Sequence, residues 1–116
     1  MNKILDLRKE EKVLLNIILP DGSKVEIYTP SKYISDLFPI IGEKIKKITK
    51  PSGDDIEGCM EAIEFLYEAT ALIISRNKNE ITYTAAAIKK LMSDKQMLLF
   101  LTNYSTAIKE ILSSKN

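Results

Sequence analysis

Val13-Leu14-Leu15-Asn16-Ile17-Ile18-Leu19-Pro20-Asp21-Gly22-Ser23-Lys24-Val25-Glu26-Ile27-Tyr28-Thr29 decides how this chain folds. Two β-prone runs flank Pro-Asp-Gly, and that pattern predicts an antiparallel hairpin. The alternation of side chains chooses the register. A three-residue loop, Pro20-Asp21-Gly22 with Gly22 in the left-handed region, pairs Ile17 with Val25 and Leu15 with Ile27. Asn16 then faces Glu26 and Ile18 faces Lys24, leaving one face apolar and the other mixed. A two-residue Asp-Gly loop would set Asn16 opposite Ile27 and Ile17 opposite Glu26, mixing both faces. The three-residue loop is therefore expected. An isolated hairpin is marginal in water, so its apolar face must rest on the segments that follow.

Those segments read as helices. Thr29-Pro30-Ser31 opens the first, because Thr or Ser can cap and Pro is tolerated in a first turn. Over residues 31–49, Ile34, Leu37, Phe38, Ile41, Ile45 and Ile48 form one stripe. Pro39 falls on the opposite side and is expected to kink or split this helix near Phe38. Lys50-Pro51-Ser52-Gly53-Asp54-Asp55 is a break. Residues 55–76 form a second helix with an unusual wheel. Ile56, Cys59, Met60, Ile63, Tyr67, Thr70 and Ile74 make one face, while Phe65, Ala69 and Leu72 lie nearly opposite, bridged by Leu66 and Ile73. Only Glu57, Glu61, Glu64 and Glu68 form a polar row. A helix apolar around most of its circumference belongs at the centre of the fold or in a subunit interface.

Arg76-Asn77-Lys78-Asn79-Glu80 reads as a polar loop. Thr82 or Thr84 caps a short helix over 84–92, with Ala85, Ile88 and Leu91 inward. Ser93-Asp94-Lys95-Gln96 fits a capping box for a last helix over 94–112. Its core face is Met97, Leu101, Tyr104, Ile108, Ile111 and Leu112, with Leu99 opposite. The fold class is α+β, mostly α: an N-terminal two-stranded antiparallel β-hairpin followed by about four helices. One domain spans residues 1–116, with 1–10 and 113–116 expected as flexible ends.

The 116 residues are 45% apolar and 28% charged, which is ordinary for a globular chain able to bury a core without disulfides or metal. The net charge is +1. Residues 1–50 carry +3, residues 51–80 carry −5 and residues 81–116 carry +3. Two basic segments around an acidic one favour pairing within or between chains over a nucleic-acid surface. The opening residues do not form a signal peptide, and no window reaches the ~18 apolar residues of a membrane span. A cytosolic location is expected.

The chemistry on offer is sparse. The chain has no His, so the commonest general base and metal ligand is missing. There is no nucleophile elbow and no Gly-rich phosphate loop. Cys59 has no basic neighbour at helical spacing and reads as a core residue. The row Glu57, Glu61, Glu64, Glu68 has the spacing of a di-metal bundle but lacks its Glu-x-x-His partners. It reads as a solvated or salt-bridged face, or as an electrostatic docking row for a basic partner. Lys44, Lys46, Lys47 and Lys50 read as a solvated helix end. Phe65, Ala69, Leu72 and Leu99 are candidate partner or oligomer contacts, unless other helices of the chain cover them. No catalytic residue, metal ligand or cofactor is expected.

The order of elements carries a resemblance. A hairpin with Leu19-Pro20-Asp21-Gly22-Ser23 at its tip leads into Thr29-Pro30-Ser31 and a helix. A long helix follows, ending Ile73-Ile74-Ser75-Arg76-Asn77-Lys78, then Ile81-Thr82-Tyr83-Thr84, a short helix, a Ser-Asp cap and a final helix. Across residues 11–112 this resembles the small tail assembly chaperones of long-tailed bacteriophages and prophages, particularly those of Gram-positive hosts. The resemblance implies a non-catalytic, self-associating protein of the host cytoplasm, not expected in the mature virion. Its partner would be the tape measure protein, kept soluble until tail tube subunits displace the chaperone. It also implies that this chain is the short form of a gene with a programmed ribosomal frameshift. The alternatives are another small phage morphogenesis component or cytosolic adaptor, and a minor metal protein using the Glu row.

Overall fold

The computed structural model describes residues 12–49 and 56–113. The Lys50–Asp55 break, residues 1–10 and 114–116 of the ends expected to be flexible at 1–10 and 113–116, and Lys50 of the basic cluster lie outside them; Ser113 is helical.

The hairpin forms as its alternation dictates. β1 (Val13–Ile18) and β2 (Lys24–Tyr28) run antiparallel. Ile17 is paired with Val25, Leu15 with Ile27, Asn16 with Glu26 and Ile18 with Lys24. Gly22 has φ +92°, a conformation that only a residue without Cβ takes at no cost. Its N–H donates to the Leu19 carbonyl at 2.8 Å, and the Leu19 N–H donates to Ser23 at 2.8 Å. The Ser23 N–H donates to Asp21 Oδ1 at 2.9 Å and holds that exposed carboxyl below its usual range. The register slips once, between Val13 and Leu15.

α1 (Lys32–Thr49) is a single 18-residue helix, so Pro39 does not split it. Proline removes the bond to the carbonyl four residues back. Here that carbonyl belongs to Ser35, which is exposed, as is Pro39; water can take the place of the missing donor. Ser31 is the cap, accepting from the Ile34 N–H at 3.2 Å.

α2 (Ile56–Ile74) is the centre of the fold. It packs against α1, β2, α3 (Ala85–Leu91) and α4 (Asp94–Ser113), which answers the choice posed by its wheel. Ala62, Leu66, Tyr67, Ala69, Thr70, Ala71, Ile73 and Ile74 are buried. Its first turns outrun the core, however. Ile56 and Met60 are exposed and Cys59 is half-buried, its Sγ 3.6 Å from the Lys47 carbonyl. These three were expected inside; α1 reaches that end of the helix at Lys47 but leaves Ile56 and Met60 open.

Thr84, rather than Thr82, caps α3, accepting from the Ala87 N–H at 3.1 Å. The capping box at α4 is complete: the Ser93 N–H donates to Gln96 Oε1 at 2.9 Å and the Gln96 N–H donates to Ser93 Oγ at 3.1 Å. α4 buries Met97, Phe100, Leu101 and Tyr104. Ile111 and Leu112, expected on its core face, are exposed and line a shallow pocket with Leu14, Thr29, Pro30 and Ser35. Tyr104 sits between Phe38 and Phe100, with ring centroids 6.0 and 5.8 Å away, and its hydroxyl donates to the Tyr28 carbonyl at 3.2 Å. Among the described residues no helix is long and apolar enough to cross a membrane.

Candidate interaction surfaces

The segment after α2 is more than a polar loop. The Tyr28 N–H donates to the Arg76 carbonyl at 2.9 Å, and the Lys78 N–H donates to the Glu26 carbonyl at 3.0 Å. Between them Asn77 bridges Ile27 as a third-strand stub. Asn77 is 3% exposed. Its Nδ2 donates to the Ile74 and Ile81 carbonyls at 2.8 and 2.7 Å, and its Oδ1 accepts from the Ile81 N–H at 3.0 Å. Arg76 adds two donations, Nε and Nη2, to the Thr29 carbonyl at 3.2 and 3.1 Å. This clip closes the outer edge of β2.

The clip also fixes which main-chain groups point where. Glu26 and Tyr28 turn theirs outward, toward the clip. Main-chain direction alternates along an antiparallel strand. Val25 and Ile27 therefore bond across to Ile17 and Leu15, and Asn16 and Ile18 turn their N–H and C=O groups to the far side of β1. Among the described residues nothing bonds to that edge. A groove of about 420 Å³ runs beside it, between β1 and α4, lined among others by Ile17, Ile18, Pro20, Leu99 and Phe100. Ile18 is 70% exposed and Leu99 64%.

A second surface lies on the outer seam of α1 and α2. These helices run antiparallel, since Lys47 meets Cys59 and Lys44 meets Phe65, the Lys44 Nζ standing 5.9 Å from the ring centroid. Tyr33 and Ile40 share the helical face of Lys44, and Leu72 shares the face of Phe65. Tyr33 and Ile40 are exposed, Leu72 is 44% exposed and Phe65 is half-buried. Glu61 and Glu68 flank Phe65 at helical spacing and are exposed. Apolar side chains thus line a seam with an acidic rail on α2.

The sequence-derived candidates fall apart accordingly. Phe65 and Leu72 join in the α1–α2 seam. Ala69 is only 2% exposed and belongs to the core, because α1 packs over it. Leu99 belongs to the separate groove beside β1. Of the acidic row, Glu57, Glu61, Glu64 and Glu68 are all exposed, and Glu64 pairs with Lys89 of α3. Among the described residues no group of three or more His, Cys, Asp or Glu side chains is placed to hold a metal. Ile18, Tyr33 and Ile40 were missed as surface candidates. The hairpin register already put Ile18 on the mixed face, and Tyr33 and Ile40 sit at a spacing of seven beside the core stripe.

One buried polar group joins α2 to the start of α4. Tyr67 Oη lies 2.7 Å from Asp94 Oδ1 and 3.1 Å from the Met92 carbonyl. The phenol has one proton, and the shorter contact to the charged acceptor takes it. Burial first, then the bond to Asp94, push the Tyr67 ionisation well above its ordinary value.

Compared with family models, curated proteins and solved structures, the chain matches none. What fold and surfaces define together is a mostly helical α+β domain that presents two separate apolar surfaces.

Proposed function

We propose that this chain is a non-catalytic tail assembly chaperone, the short form, which binds and solubilises the tape measure protein and helps recruit tail tube subunits in the host cytoplasm. The resemblance of its ordered elements to that family motivates the reading. The observation that supports it most is the α1–α2 seam: Tyr33, Ile40 and Leu72 exposed and Phe65 half-buried along two antiparallel helices, with Glu61 and Glu68 as a rail. Such a seam suits an amphipathic client helix with apolar residues inward and a Lys or Arg edge over the rail.

Co-expression with the tape measure protein of the same genome tests this. The client stays soluble and co-purifies with the wild-type chain, and Ile40→Glu or Leu72→Glu reduces its recovery while the helical spectrum is unchanged. Both proteins well expressed and no co-purification sinks the proposal.

A further inference from the structure

We propose that the shallow pocket between β1, the start of α1 and the end of α4 takes this chain's own N-terminal segment, residues 1–11, with Leu7 as the side chain that seats in it. The inference goes beyond the client reading and stands without it, because the seam of α1 and α2 takes no part.

The pocket is small and apolar. Leu14, Thr29, Pro30, Ile108 and Leu112 are among the residues around its 210 Å³. That is below the roughly 300–1,000 Å³ of pockets that enclose a small molecule, so it suits a side chain or two. Leu112 on its rim is 63% exposed, and a further apolar group there would bury it.

Chain connection selects the occupant. The described chain begins at Lys12. Its carbonyl accepts from the Thr29 N–H at 2.9 Å, and Thr29 lines the pocket. The preceding residues therefore depart from the pocket's rim. Read back from there, Glu11, Glu10, Lys9 and Arg8 are charged, and Leu7, Leu5 and Ile4 are the first apolar side chains met. Those charged residues span at most about 14 Å, enough to cross the rim and too short to carry Leu7 far from it. A tether of that length sets an effective concentration in the millimolar range, which favours this segment over a second copy or a separate client. Leu7 shares a face with Ile4 at helical spacing and with Leu5 at strand spacing, so it belongs to the apolar side in either conformation. Charge agrees with this placement. The last turn of α4 has no basic residue, its terminal carbonyls carry partial negative charge, and Arg8 and Lys9 directly follow Leu7.

Methyl NMR on the full chain tests it. Wild type shows cross-peaks from the Leu7 methyls to those of Leu14, Ile108 and Leu112, unchanged on dilution. In a mixture of differently labelled copies they arise within molecules and not between them. Leu7→Asp removes them and speeds amide exchange at Ile108 and Leu112 by about tenfold, while the Tyr28 and Lys78 amides and the helical spectrum stay as they are. Leu7→Met keeps the protection. Where Leu7→Asp does not fold, the wild-type cross-peaks decide alone. Absence of cross-peaks from Leu7 to the pocket overturns the proposal. So do cross-peaks that form only between copies, which give the pocket to a second chain, or Ile108 and Leu112 amides indifferent to Leu7→Asp.

Discussion

The two edges of the hairpin deal with the same problem in opposite ways. Each presents main-chain donors and acceptors that a sheet of two strands leaves over. At β2 they are taken by Arg76 and Lys78, and a buried amide side chain holds that segment in place. At β1 nothing among the described residues takes those of Asn16 and Ile18, and exposed isoleucine and leucine lie beside them. On the closed edge the Tyr28 N–H and the Glu26 carbonyl have partners, and among the described residues no buried side-chain nitrogen or oxygen lacks one. The open edge is made of apolar groups that lack partners. Stability should therefore reside in the first more than in the second, and substitutions can separate them.

The largest effect is expected at Asn77. Asn77→Ala removes bonds to Ile74 and Ile81 and strands the buried Ile74 carbonyl, at a cost of about 3 kcal/mol. Denaturant unfolding reads the loss, and amide exchange should speed up at Tyr28 and Lys78, the donors across the closed edge. If both amides stay protected in Asn77→Ala, the main-chain bonds close that edge by themselves, and the side chain is dispensable.

Tyr67 is the same device at another junction, and it adds a pH dependence. Tyr67→Phe costs about 1.5 kcal/mol by removing the donor to Asp94. In the folded protein the phenol keeps its proton above pH 10, whereas in the unfolded chain it gives it up near the ordinary value of 10.0. Above that pH the unfolded state binds fewer protons, so stability falls as pH rises, by up to about 1.4 kcal/mol per pH unit. Below pH 10 the contribution is complete. A series of melts from pH 8 to pH 11.5 should show a descending alkaline limb that Tyr67→Phe flattens.

Much of this was legible in the chain, and the exceptions have physical causes. The hairpin register followed from period-two alternation plus one glycine, and the caps at Ser93 and Thr84 from short-range hydrogen-bond chemistry. Phe100 went unread although Met97, Phe100, Leu101 and Tyr104 keep the spacing of a helical core face. Ile56, Met60, Ile111 and Leu112 were placed inside because a wheel shows direction and not where neighbouring helices end. Asn77 left no local signal at all. Its burial depends on β2, some fifty residues earlier, arriving alongside, and within its own segment it looks like any loop asparagine. The candidate surface suffered likewise: Ala69 and Leu72 share a stripe, yet α1 covers one and leaves the other.

The closed edge carries one strain that can be relieved. Glu80 ends the clip with φ +58°, a left-handed conformation that costs a residue with a Cβ roughly 1 kcal/mol. Asn tolerates it better, so Glu80→Asn should raise stability by about 0.5 kcal/mol. A thermal melt showing a loss instead would mean that the Glu80 side chain contributes more than its backbone costs.

The smallest effect on stability is expected at the open edge, and that is where the comparison is most exposed to failure. Leu99→Gln replaces an exposed side chain on α4, where glutamine is as good a helix former. The unfolding free energy should stay within about 0.5 kcal/mol of wild type. Leu99 lines the groove beside β1, away from the clip, so the substitution should leave the amides of Tyr28 and Lys78 as slow to exchange as before. A loss of several kcal/mol would place Leu99 among the groups that hold the fold. The open edge would then be part of the core, and the division between a polar side that stabilises and an apolar side that adds little would not stand.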